Sequence, residues 1–196
     1  MKKILVLIIV LSCAITGFSQ IQIFGKYTAG KEIEPDINIF NYGPKLDTAG
    51  KIKITYFALV EKAWAEGLIG ISYTPSKWCE LGLMFGLESN PALYRLSGSI
   101  WLGDDKIAFA TCMEKGDGSD NWWYKSTLGY SPSKKFTCGL MSWRYNGTGI
   151  FLQYNNVKHG LSFWINPAYD TEFKENRLTV GLNIKYNSNP NKIGQH

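Results

Sequence analysis

Histidine is nearly missing from this sequence: of 196 residues two are histidine, His159 in an expected tight turn and His196 at the end of the chain. Imidazole-dependent chemistry at a membrane surface needs the ring beside a serine or a carboxylate. Neither histidine is in such a setting, so no catalytic residue is assigned. Cysteine is also scarce. Cys79, Cys112 and Cys138 stand far apart, with no CxxC pair and no adjacent histidine, which excludes a disulfide framework and a zinc site. They read as small apolar residues; if any pair oxidises after export, Cys79 and Cys138 are the candidates, because both follow equivalent turns. Charge of one sign is lacking too. The formal charge is +5, and loss of Lys2 and Lys3 with a leader lowers it to +3, too mild to imply a nucleic-acid partner. No cofactor motif is present. The stretch EKGDGSDN (114–121) holds Asp117, Ser119 and Asp120 at a spacing loosely suggestive of calcium. It lacks the ligand series of an EF-hand, so no metal is expected and the stretch reads as a solvated turn.

Long apolar runs are absent as well, apart from Ile4 to Leu11. That run is roughly half of the ~18–20 residues a spanning helix requires. It follows Lys2 and Lys3 and precedes a small-residue patch ending Gly17-Phe18-Ser19, the organisation of a secretory signal peptide. Residues 1–19 are therefore expected to be removed, with Gln20 as the mature start. Cys13 follows Val10-Leu11-Ser12, a weak lipoprotein box, and the small-residue site six positions later fits better.

From residue 51 onward no stretch sustains helical periodicity. The chain repeats instead a block of eight to twelve residues rich in aromatic, branched and glycine positions, then a polar break. Strands are expected near 51–61, 66–74, 78–87, 92–102, 106–114, 121–130, 135–145, 148–156, 159–166 and 175–187. The last has the clearest faces: Leu178, Val180, Leu182, Ile184 and Tyr186 alternate with Arg177, Thr179, Gly181, Asn183 and Lys185. Cys79, Leu81, Leu83, Phe85 and Leu87 oppose Trp78, Glu80, Gly82, Met84 and Gly86 in the same way. In the next strand Tyr94, Leu96, Gly98, Ile100 and Leu102 oppose Arg95, Ser97, Ser99 and Trp101. Strands of about ten residues with this dyad period suit a tilted crossing of hydrocarbon.

An internal repeat supports hairpins. ISYTPSKWCELGLMFG (71–86) parallels LGYSPSKKFTCGLMSW (128–143), so one turn is made twice, with proline fixing φ and a tyrosine suited to a membrane interface just before it. By parity the breaks at 103–106 and 156–160 join these turns on one side. Those at 88–91, 114–121 and 167–175 fall on the other, which is expected to carry the longer loops.

The signal peptide, the YTPSK and YSPSK turns and the alternating RLTVGLNIKY strand together resemble small bacterial outer-membrane β-barrel proteins, and the leader ending FSQ is similar to those of Bacteroidetes. The resemblance covers roughly residues 51–187 and points to no specific family. It implies an all-β, antiparallel up-and-down barrel of about 10–12 strands. It also implies residence in the outer membrane of a Gram-negative cell, with the lipid bilayer and other envelope proteins as partners. Such barrels frequently end on an aromatic residue, whereas here Tyr186 is followed by a tail, residues 188–196. Residues 20–50 add two strands or form a plug. A ring of this size is narrow and its lumen is lined closely or obstructed, which disfavours a large diffusion pore.

Glu80, Arg95, Glu114 and Lys125 fall on the expected lumen face and form a candidate charged network, either satisfying one another or selecting a small polar solute. Tyr73, Trp122, Trp123, Tyr124, Tyr130 and Tyr186 are candidate interface aromatics, with Trp122 to Tyr124 also suited to stacking on sugars. Three functions fit: a non-enzymatic outer-membrane barrel acting as a narrow channel or as a structural or complex subunit, a soluble exported lipocalin-like barrel for an apolar ligand, and an outer-leaflet lipid-modifying enzyme.

Overall fold

The alternating blocks become the walls of a closed ring. The structure, a computed structural model, describes residues 18–28, 33–89 and 94–187. Residues 1–17 of the expected leader, and the tail with His196, lie outside the described residues. Twelve antiparallel strands follow one another: β1 (Phe18–Thr28), β2 (Glu34–Lys45), β3 (Ile52–Val60), β4 (Ala65–Ser76), β5 (Cys79–Glu88), β6 (Tyr94–Gly103), β7 (Ile107–Gly116), β8 (Trp122–Ser133), β9 (Phe136–Trp143), β10 (Gly147–Asn156), β11 (Leu161–Asp170) and β12 (Glu175–Asn187). Each pairs with its neighbours in the chain, and β1 pairs with β12 from Phe18↔Asn187 to Thr28↔Arg177, so no edge is left open. The N-terminal segment is wall: β1 and β2 are strands, and β1 starts at Phe18, two residues ahead of the expected cleavage point.

The faces follow the period of two. Leu81, Leu83, Phe85 and Leu87 of β5 and Tyr94, Leu96, Ile100 and Leu102 of β6 point outward and are 37–60% exposed. Met84, Glu88, Arg95 and Ser97 point inward and are buried. The exterior is greasy and the interior polar, the inverse of a soluble ligand barrel.

One rim carries the connections 46–51, 77–78, 104–106, 134–135 and 157–160, the last including a single 3-10 turn, Val157–His159. The two repeated turns lie here and are alike in register. Pairing shifts between Tyr73 and Ser76 in one and between Tyr130 and Ser133 in the other, which places Pro75 and Pro132 within the two bulges, where no ladder N–H is needed. We call this the turn rim and the opposite one the vestibule rim.

The expected difference in loop length is corrected. The vestibule-rim connections run from three residues (144–146) to five (117–121), and the turn rim has one of six (46–51). The strands simply run further than the breaks suggested, β7 to Gly116 and β11 to Asp170. Pro167 read as a strand end because it cannot donate to the ladder. Pairing of β10 with β11 is indeed interrupted there, between Leu152↔Ile165 and Gly149↔Ala168, and the fully buried Asn166 donates its side-chain amide to the Ile150 carbonyl at 2.9 Å.

Cys79 and Cys138 stand on β5 and β9, which are not neighbours in the ring, and both are free. The disulfide considered for them is excluded by that separation.

Candidate functional site

The lumen is crossed by aromatic side chains. Phe24 of β1 meets Trp143 of β9 at 5.4 Å between ring centroids and Trp164 of β11 at 6.0 Å. β1 and β9 share no ladder, so the first of these contacts bridges the barrel. Phe151 and Met141 complete the buried cluster, with Trp123 packed against it. Trp164 needs room, and Gly181 on β12 supplies it: a Cβ there would stand 2.3–2.5 Å from the indole. The position that reads in sequence as merely polar-faced is the seat of the largest fully buried side chain.

Above this floor a cavity of about 310 Å³ opens toward the vestibule rim. Arg95 anchors one wall. Its Nε lies 2.8 Å from carboxylate oxygens of both Glu66 and Glu114, and its Nη1 lies 2.8 Å from Glu88. Asn121 donates to Glu88 at 2.5 Å, and Trp64 donates its indole N–H to Glu66 at 3.1 Å while its ring lies under the guanidinium. All four charged side chains are at most 5% exposed. One guanidinium therefore faces three carboxylates, and the cluster is formally −2. A second group joins Lys26 to Asp36 at 2.9 Å and Glu61 at 3.2 Å.

Of the four residues expected to form a lumen network, Arg95 and Glu114 are joined. Lys125 is on the same wall, but its ammonium faces rings, 4.3 Å from the centroid of Trp143, 5.3 Å from Trp164 and 5.8 Å from Phe24. Glu80 is apart from all three. It is the second residue of β5, at the turn rim, where it accepts from Tyr42 at 2.5 Å and Thr74 at 3.2 Å and lies 4.0 Å from Lys53. A single four-membered network is thus corrected to two sites at opposite ends, because sharing a face does not mean sharing a height. Glu66 and Glu88 escaped the reading: each sits at the boundary of its strand, where burial is hardest to infer from alternation.

Among the aromatics, Tyr73 and Tyr130 are exposed beside the repeated turns, and Trp122 stacks on Tyr124 at 5.8 Å near the vestibule rim. Trp123 is corrected: it lies between them on the inward face and meets Trp143 at 6.5 Å. Tyr186 pairs with Ser19 in the ring, and its side chain lies outside the described residues. At the mouth Arg144 is sandwiched between Trp122 and Tyr145, at 4.2 and 4.5 Å, donates to the carbonyls of Asp120 and Trp122, and pairs with the Asp120 carboxylate. Asp120, considered as a calcium ligand, is thereby engaged with an arginine. His159 stands exposed at the far rim.

A narrow closed ring with a charged interior and an apolar coat is the architecture of a porin-type barrel. Solved porins are similar in fold. The KdgM porin superposes with a TM-score of 0.60 at 13% identity over 85% of this chain and 99% of its own, and it is also known in complex with disordered oligogalacturonate. The NanC porin gives 0.53 at 13% identity over 85% and 100%. The likeness is one of fold. No protein-family model and no curated protein sequence matches the chain.

Proposed function

We propose that this chain is an integral outer-membrane barrel that acts as a narrow, non-enzymatic channel for small polar solutes. The observation that carries this is the inverted distribution of polarity: charged and hydroxyl side chains inside, and exposed leucine, isoleucine and phenylalanine on successive strands outside. Strands of 8 to 13 residues match the length a tilted strand needs to cross hydrocarbon. The same distribution speaks against a lipocalin-like carrier, which would turn its apolar face inward. Against an outer-leaflet enzyme stands the place of His159, on the rim away from the vestibule.

The lining also favours one sign of solute. Asp36, Glu61, Glu66, Glu114 and Asp120 line the vestibule against Lys26, Arg95, Lys125 and Arg144, with Glu88 behind Arg95. That balance suits a cation or a dipolar solute better than a polyanion such as the oligogalacturonate of the KdgM complex.

Envelope fractionation with a carbonate wash, a gel run with and without boiling, and planar-bilayer recording test the proposal. The expected result is an outer-membrane, heat-modifiable protein with a small conductance and a reversal potential on the cation side in a KCl gradient. Recovery in the soluble fraction would overturn membrane residence. A silent but membrane-embedded barrel would overturn the channel and leave a structural or complex subunit.

A further inference from the structure

The vestibule wall carries polar atoms with nothing in the protein to bond. Asp36 Oδ1, Asn38 Oδ1 and Asn146 Oδ1 are buried acceptors without a hydrogen-bond partner; Trp143 Nε1 and Arg144 Nε are buried donors in the same condition. All five residues line the one cavity, and Asp36, Trp143, Arg144 and Asn146 are each more than nine-tenths buried. Native interiors rarely leave such groups unmatched by protein, water or ligand, and these five face one space.

The charges around the cavity say which kind of molecule. Lys125 presents an ammonium held over the Trp143 ring, and among the described residues no carboxylate lies within the 4.0 Å of an ion pair. The rings attract the cation but supply no anion. On the other walls the sign is reversed, with Glu66, Glu88 and Glu114 sharing Arg95, and Asp36 retaining a free oxygen.

A simple anion at Lys125 would sit in the field of the surplus carboxylates. A simple cation among the carboxylates would leave Lys125 unmatched, and a neutral sugar would leave both. Only a molecule with separated charges answers the whole wall.

We infer that the vestibule binds one small zwitterion, its anionic end taken by Lys125 and the Trp143 indole N–H, its cationic end by Asp36 and the Glu66–Glu114 side. A volume of about 310 Å³ is at the small end of ligand pockets, room for an amino acid or a molecule of that size. This deepens the channel proposal by naming its solute class, and it rests on the lumen being a solute path.

The test is calorimetric titration of the folded full-length mature barrel in detergent micelles. L-alanine, γ-aminobutyrate and glycine betaine serve as zwitterions, with acetate, methylammonium and glucose as single-charge and neutral counterparts. The expected result is that at least one zwitterion binds tenfold or more tighter than every counterpart. Lys125→Met and Asp36→Asn should each weaken it tenfold or more, and Lys158→Met on the turn rim should leave it unchanged. Heat-modifiable migration establishes that each variant is folded, and Glu114→Gln stands in for any that is not. Equal binding of acetate, methylammonium or glucose, indifference to Lys125→Met, or no binding by any probe would overturn the inference. Conductance without zwitterion binding defeats this site and spares the channel; binding without conductance does the reverse.

Discussion

Arg95 shows what a single side chain does in a lumen this narrow. Buried beside three carboxylates, it is the only cation within 4.0 Å of Glu66, Glu88 or Glu114 among the described residues. Its removal leaves buried charges uncompensated, which costs about 3–5 kcal/mol for a buried pair. Arg95→Met is therefore expected to lower the unfolding free energy measured in urea by that order. Arg95→Lys should recover only part of it, because one ammonium cannot reproduce the fork that reaches three oxygens. Gly181 is the complementary case, a residue that matters through what it leaves empty. Gly181→Val should drive the Trp164 indole from its seat at about 1–3 kcal/mol, the usual cost of overpacking, visible as a change in tryptophan emission. The sequence made Arg95 and Glu114 legible through alternation alone. It concealed the environment of Lys125, since aromatic residues on β1, β9 and β11 meet only after the ring closes.

At the scale of the strand and its turns, the duplicated turn was readable because proline, serine and a preceding tyrosine recur with the same spacing, and both copies make the same bulge. The true length of β11 was not, because Pro167 signals a break that Asn166 repairs with its side chain. The repair can be tested by pairing variants. Asn166→Leu alone should cost about 1–3 kcal/mol, the penalty for an unmatched buried carbonyl. Adding Pro167→Ala, which restores a backbone N–H, should return part of that loss in urea unfolding. On the turn rim, Asp47 and Asp104 accept backbone N–H bonds from Ile52 at 2.8 Å and from Lys106 and Ile107 at 2.8 and 2.9 Å. Those bonds hold both carboxyls below the ordinary aspartate value of 3.8. A lowered folded value means stabilisation that is present above pH 3.8 and is lost as pH falls through the folded value. The stability gap between the parent and Asp104→Ala should thus be open at about pH 6 and narrow by about pH 2.5.

For the whole molecule, the fold class and the existence of two unlike faces followed from a two-residue period, and the strand number came out at the upper end of the expected range; which face points outward is settled by the exposed leucines and phenylalanines of the closed ring. What could not be read was the interior, where side chains from strands far apart in the ring decide how much of the lumen is open. The aromatic floor reaches across the lumen from β1 to β9. Trp143→Ala, which removes the ring between Phe24, Trp164 and Lys125, is expected to raise single-channel conductance several-fold in a planar bilayer. It should also cost about 3–5 kcal/mol of stability, as large aromatic truncations do.

Closure of the ring has a temporal side. Every pairing but one joins strands adjacent in the chain, whereas β1 and β12 join residues such as Gln22 and Asn183, 161 apart in sequence. Bringing such distant segments together carries the largest entropic cost of any pairing in the ring, so the eleven hairpin pairings can form first and the β1–β12 seam zips up last. Until then each of the two outer strands has one unpaired edge, and the seam is where a helper protein's strand could lodge during assembly, or where a synthetic copy of β12 would arrest the barrel half-made.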